Sequence, residues 1–152
     1  MIINIKKINE EAIIPSFAHK TDSGFDLFTA EDITVLGNKK GIAKTGLIIE
    51  IPTGWGIQIK NKSGITIKGV PTKNGINADI TVFEGTIDMD YRGELGIMFK
   101  NEESFEITIP KHTKLAQGVL RKVYTCEFVE VKEVNETKRG QGGFGSTGVK
   151  YK

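Results

Sequence analysis

The apolar positions of this chain fall in short runs, none of which keeps a helical spacing over ten residues. Ile2–Ile8 (IINIKKI) alternates enough for a strand, and Ile57 and Ile59 alternate with Gln58 and Lys60 as a half-buried strand requires. Further runs rich in Ile, Val, Leu and Phe occupy Gly24–Ala30, Ile33–Leu36, Ile42–Ile51, Ala78–Phe83, Glu94–Lys100, Phe105–Ile109, Leu115–Val123 and Cys126–Val131. Gly37, Gly41, Pro52–Gly54 and Gly56 cut between them, and Pro15 interrupts the polar stretch Asn9–Ser23. Many short strands between glycine and proline turns predict an all-β sandwich, jelly roll or distorted barrel. The one helix expected is a short turn after Lys62.

At 152 residues the chain predicts a single folded unit. The pattern changes after residue 134. Residues 1–134 carry the strand runs, whereas 135–152 are polar and Gly-rich and predict a flexible arm. A hydrophobic fraction of 38% is globular but modest, which points to additional burial in an oligomer interface. A net charge of +2 is too mild to mark a nucleic-acid binder, yet it allows a local basic pocket. The single Cys126 excludes an internal disulfide framework and, lying in an apolar run, reads as a buried thiol. His19 and His112 lack metal-ligand spacing. No apolar run approaches a membrane span and no signal-peptide core is evident, so a cytoplasmic location is expected.

Two stretches carry candidate chemistry. Gly85–Gly93 (GTIDMDYRG) lies between strand runs, and its glycines and aspartates predict a hairpin-like corner. On an extended backbone Asp88 and Asp90 share a face while Tyr91 points away. A carboxylate able to take a proton from water beside an aromatic wall is a plausible catalytic corner; a solvated turn is the alternative reading. The second stretch is Arg139–Gly148 (RGQGGFGSTG). Gly140, Gly142 and Gly145 satisfy G-x-G-x-x-G, but a dinucleotide site needs a preceding strand, a following helix and a distant acid, none of which is expected here. The composition still suits a phosphate ligand. Glycine backbone can turn its N–H groups toward phosphate oxygens, Ser146 and Thr147 add hydroxyls, and Arg139 adds a planar charged fork. Phe144, alone among glycines, is placed to stack on a base.

Taken together, these residues resemble the trimeric dUTPase family. Five segments stand in that family's order: SGFDLFTA at Ser23–Ala30, KSG at Lys62–Gly64, GTIDMDYRGELG at Gly85–Gly96, LAQ at Leu115–Gln117, and RGQGGFGSTG at Arg139–Gly148. The resemblance implies a jelly-roll-like distorted β-barrel and a homotrimer with active sites shared between subunits. It further implies hydrolysis of dUTP to dUMP and pyrophosphate with Mg²⁺. By residue, it implies that Asp88 is the general base, Tyr91 packs under the deoxyribose, and backbone groups between Asn77 and Asp88 read uracil. Lys62, Ser63, Gly64 and Gln117 are then phosphate-side residues. Arg139, Phe144, Gly145, Ser146 and Thr147 belong to an arm that closes over the site.

The resemblance also places Asp26 near a water-bound Mg²⁺ or behind the phosphates. Because Mg²⁺ binds largely through substrate phosphates, no dedicated protein cage is expected. Lys62 stands where the family usually has Arg, keeping charge but losing the bidentate fork. Lys111–Lys114 (KHTK) departs from the family's Gly-Asp-Arg pattern, which leaves His112 as an exposed turn residue. Between Gly64 and Gly85 the chain is longer than in compact members, and Val70–Gly75 (VPTKNG) is the expected insert. It could reshape the pocket mouth or bind a protein partner. Such inserts occur in phage members, which allows a phage origin and a host-cytoplasmic location. Two alternatives stay open: a dCTP deaminase of the same fold, disfavoured because Leu95–Phe99 holds no acid, and a non-catalytic regulatory module.

Overall fold

The computed structural model describes residues 1–143. Its strands are β1 (Asn4–Lys7), β2 (Phe25–Phe28), β3 (Ile33–Val35), β4 (Lys40–Lys44), β5 (Leu47–Glu50) and β6 (Trp55–Lys60). The helix α1 (Ser63–Lys68) follows. The chain continues through β7 (Val70–Pro71), β8 (Asn77–Ala78), β9 (Ile80–Val82), β10 (Gly85–Ile87), β11 (Gly96–Asn101), β12 (Ile107–Ile109) and β13 (Lys114–Lys122). All pairings are antiparallel. One sheet runs β10-β6-β13-β2 and another β4-β11-β9, with two-stranded ribbons β1-β5, β12-β3 and β7-β8 completing a jelly-roll-like fold. Among the described residues no sheet closes into a barrel, so the fold is the expected jelly roll without a continuous barrel wall.

Strand alternation explains the packing. In β3, β9 and β12 the outer residues Ile33, Val35, Ile80, Val82, Ile107 and Ile109 are buried, while the central residue turns away from the core. These side chains meet Leu27, Ile57, Ile97, Phe99 and Leu115 in one core. Each fully buried aliphatic or aromatic side chain contributes on the order of 2 kcal/mol. Asn101 is fully buried but satisfied: its amide donates to the carbonyls of Val35, Leu36 and Phe105, and its oxygen accepts from Glu103 N–H. The run Ile42–Ile51 divides into β4 and β5 at Gly46, whose φ of 68° suits glycine.

Several expectations change. Cys126 is exposed rather than buried, and Cys126–Val131 forms no strand among the described residues. After Val123, which still donates to Gly54 O, the chain leaves the fold and presents Tyr124, Phe128, Val129, Val131 and Val134 to solvent. The apolar run there has no neighbouring strand among the described residues. The Asp corner is tighter than a hairpin end. Tyr91 N–H donates to Asp88 O at 3.1 Å, so the backbone reverses there and the shared-face expectation for Asp88 and Asp90 no longer applies. The insert Val70–Gly75 is bonded to the rest of the chain. Lys73 N–H donates to Thr108 O, Asn74 bonds both Glu106 O and Thr108 N–H, and Lys73 pairs with Asp32. No helix of the described residues is long and apolar enough to cross a membrane.

Candidate active site

Five of the expected residues converge around β2, β6 and β13. Asp26 lies in β2 and is only 6% exposed. Gln117 of β13 lies across from it on one side and across from Lys60 of β6 on the other. The Gln117 amide donates to Asn61 O at 3.0 Å, fixing the chain just past β6. Gly24 makes room for this arrangement, because a Cβ there would stand 2.8 Å from Gln117 Oε1. The chain then turns into α1 through Lys62, whose extended backbone leaves its side chain free of any capping role. That side chain donates instead to Asp26 Oδ1, while Lys114 reaches Oδ2 at 2.9 Å. Ser63 and Gly64 follow on the exposed first turn of α1.

The electrostatics of Asp26 follow from this geometry. Burial pushes its carboxyl up, but the hydrogen bonds and charges of Lys62 and Lys114 outweigh burial and hold it below the usual range. Among the described residues no group of three or more His, Cys, Asp or Glu side chains could hold a metal ion. The ammonium groups occupy one site on each Asp26 oxygen, whereas a carboxylate has about four lone-pair sites. Asp26 therefore retains capacity to accept further hydrogen bonds, but it is not a metal cage by itself.

Asp88 and Tyr91 sit elsewhere. Ile87 pairs with Ile57, three residues from Lys60, or roughly 10 Å along β6. Asp88 lies beyond the first of these positions and Ser63 beyond the second, so the corner and the Asp26 cluster do not converge within the chain. Asp88 is exposed and its carboxylate has no hydrogen-bond partner among the described residues. Tyr91 is half exposed, donates its hydroxyl to Glu94 O at 3.0 Å, and lines a cleft of about 330 Å³ with Ile42, Ile87 and Met98. Arg92 secures the turn by donating to Met89 O and Tyr91 O at 2.6 and 3.0 Å. Arg139 is exposed and donates to Gly142 O. Phe144, Gly145, Ser146 and Thr147 lie outside the described residues.

Sequence reasoning missed Lys114, Gly24 and Gly93. Lys114 adjoins the LAQ segment, but a β-bulge between Lys114 and Ala116 aims it at Asp26, and bulges leave no periodic trace. The glycines act through space they leave for Gln117 and Tyr91, which only the fold reveals. His112 is an exposed turn residue as expected, with φ of 65° and its ring against Glu11.

The dUTPase family model matches residues 10–148. A deoxyuridine 5'-triphosphate nucleotidohydrolase of Clostridioides difficile is 40% identical over 148 residues, covering 96% of this chain and 97% of the relative. The dUTPase of Staphylococcus bacteriophage 80alpha, solved with dUpNHpp, superposes with a TM-score of 0.85 at 27% identity, covering 97% of this chain and 99% of that one. A variant of the phage phi11 dUTPase of S. aureus, solved with a structural Mg(II) ion, superposes with a TM-score of 0.75 at 27% identity, covering 88% of this chain and 98% of that one. A match spanning nearly the whole chain, in sequence and in fold, joins both clusters to one lineage: the chain belongs to the dUTPase family.

Proposed function

We propose that this chain hydrolyses dUTP to dUMP and pyrophosphate. The observation that carries the reading is the convergence of Lys62, Ser63, Gly64 and Gln117 around Asp26, a built cationic end next to an exposed turn. A triphosphate needs such charge, and Gly64 leaves open space beside the turn for such a ligand. Its backbone is not left-handed and a Cβ there would meet nothing within 4 Å, so nothing in the described chain requires glycine. Lys62, Gln117 and Arg139 bind the phosphates and Ser63 donates a hydroxyl. Asp88 takes the proton of a water attacking the α-phosphorus. Tyr91 lies under the deoxyribose and excludes a 2′-hydroxyl, while backbone groups between Asn77 and Asp88 read uracil. Mg²⁺ bound with the triphosphate would neutralise phosphate charge, and Asp26 is the residue that would stand near it.

The separation of Asp88 from Ser63 along β6 supports a site completed between subunits of a homotrimer. The exposed apolar segment 124–134 supports the same assembly, as a strand seeking a neighbour's edge. The remaining residues, 135–152, then act as an arm whose Phe144 stacks on the base while Gly145, Ser146 and Thr147 close on the phosphates.

The test is pyrophosphate release from dUTP with Mg²⁺, with dCTP, dTTP and UTP as controls. Release from dUTP alone is expected. Asp88→Asn should lower kcat by about 10²–10⁴-fold with KM little changed. Ammonia from dCTP would favour the deaminase alternative, and no turnover of any nucleotide would leave a binding module.

A further inference from the structure

We infer that Lys114 is a positioning residue for triphosphate binding: it stays on Asp26 as resident counter-ion and so releases Lys62 to the substrate. The inference rests on the dUTPase reading above. Asp26 is nearly buried and its single negative charge needs a single positive partner, yet two lysines hold it, one on each oxygen. The cluster thus carries one surplus positive charge beside Ser63 and Gly64. Either lysine alone compensates the carboxylate, and the other is available to an arriving anion.

Geometry decides which lysine leaves. Lys114 lies across from Phe28, on the same strand face as Asp26, a diagonal that a long side chain spans. The bulge after Lys114 creates that register. Its ammonium also stands 5.6 Å from the centre of the Phe28 ring, a second anchor that Lys62 lacks among the described residues. Lys62 adjoins Ser63 directly and is the one on the phosphate side. One ammonium lacks the planar fork with which a guanidinium could serve Asp26 and phosphate together. The second lysine resolves that conflict.

The experiment compares wild type, Lys114→Met, Lys114→Arg and Asp26→Asn/Lys114→Met by calorimetric titration with dUpNHpp and with dUMP, alongside dUTP turnover and Tm. Lys114→Met should weaken dUpNHpp binding about tenfold, the size of one charge-assisted contact, and leave dUMP affinity unchanged. KM should rise more than kcat falls. Lys114→Arg should restore both, and the double variant should recover part of the lost affinity because Lys62 no longer has a carboxylate to serve. Unchanged dUpNHpp affinity in Lys114→Met would overturn the inference. So would equal weakening of dUMP, or a loss that follows a fall in Tm, since both mark a structural role. Absence of dUTP turnover in the wild type would instead overturn the underlying reading.

Discussion

A Cβ on Gly93 would stand 2.3 Å from the Tyr91 hydroxyl oxygen and 2.5 Å from its ring carbon Cζ. The glycine therefore fixes where the ring lies, because a rigid phenol cannot bend away as a lysine tip could. Gly93→Ala should swing the ring aside and break its hydrogen bond to Glu94 O. The ratio of kcat/KM for dUTP over UTP should fall about tenfold, part of the roughly hundredfold rejection a pocket can achieve against an added hydroxyl. Tyr91→Phe keeps the ring and should keep the ratio. Unchanged discrimination in Gly93→Ala would remove Tyr91 as the sugar gate.

Gly64 separates stability from function. It lies in the first turn of α1 with open space beside it, so alanine fits and gains up to about 1 kcal/mol of helix propensity. Gly64→Ala should melt at or above the wild-type temperature. If phosphate packs against this turn, the methyl costs about 1–3 kcal/mol of binding and kcat/KM for dUTP falls about tenfold or more. Full activity in a stabilised Gly64→Ala would show that no ligand approaches here.

What the sequence made legible was whatever repeats or stands in order. The β-branched runs predicted the strands, and Lys62 marked the short helix within a residue of its start. The segments around Asp26, Lys62 and Gln117 proved to be neighbours in space. Illegible were features decided by pairing: the bulge that turns Lys114 onto Asp26, the tight turn that parts Asp88 from Asp90, and the exposure of Cys126. An apolar run states that a strand wants a partner but not whether the rest of its chain supplies one, and Cys126–Val131 is that case. Val70–Gly75 was legible as an insert, but not the hydrogen bonds by which Asn74 and Lys73 tie it to β12.

The Asp26 pair predicts a pH dependence of stability. Its carboxyl is held below the usual range, so its contribution is present above the unfolded value near about pH 4 and is lost as pH falls through the lower folded value. Asp26→Asn removes the charge that both ammonium groups meet, and should cost on the order of 1–3 kcal/mol at pH 7. Its Tm should then fall less steeply than wild type below pH 4. Parallel Tm curves from pH 7 to pH 2 would show that the lysines give the folded state no net advantage at this carboxylate.

Two truncations separate assembly from closure. Residues 124–134 expose Phe128 and Val134 almost completely, which is costly unless a neighbouring subunit covers them. Residues 135–152 carry Arg139 and the glycines but no apolar run. Removing 135–152 should leave Tm and the trimer mass by light scattering unchanged while abolishing pyrophosphate release, because the phosphates lose Arg139 and the base loses Phe144. Removing 124–152 should abolish the proposed trimer as well, since the segment proposed to reach the neighbour is gone. A trimer that persists without 124–152 would mean that the assembly is held by another face and that these apolar residues serve something else. Turnover that survives loss of 135–152 would mean that Asp88 and the Lys62 end complete the reaction without an arm.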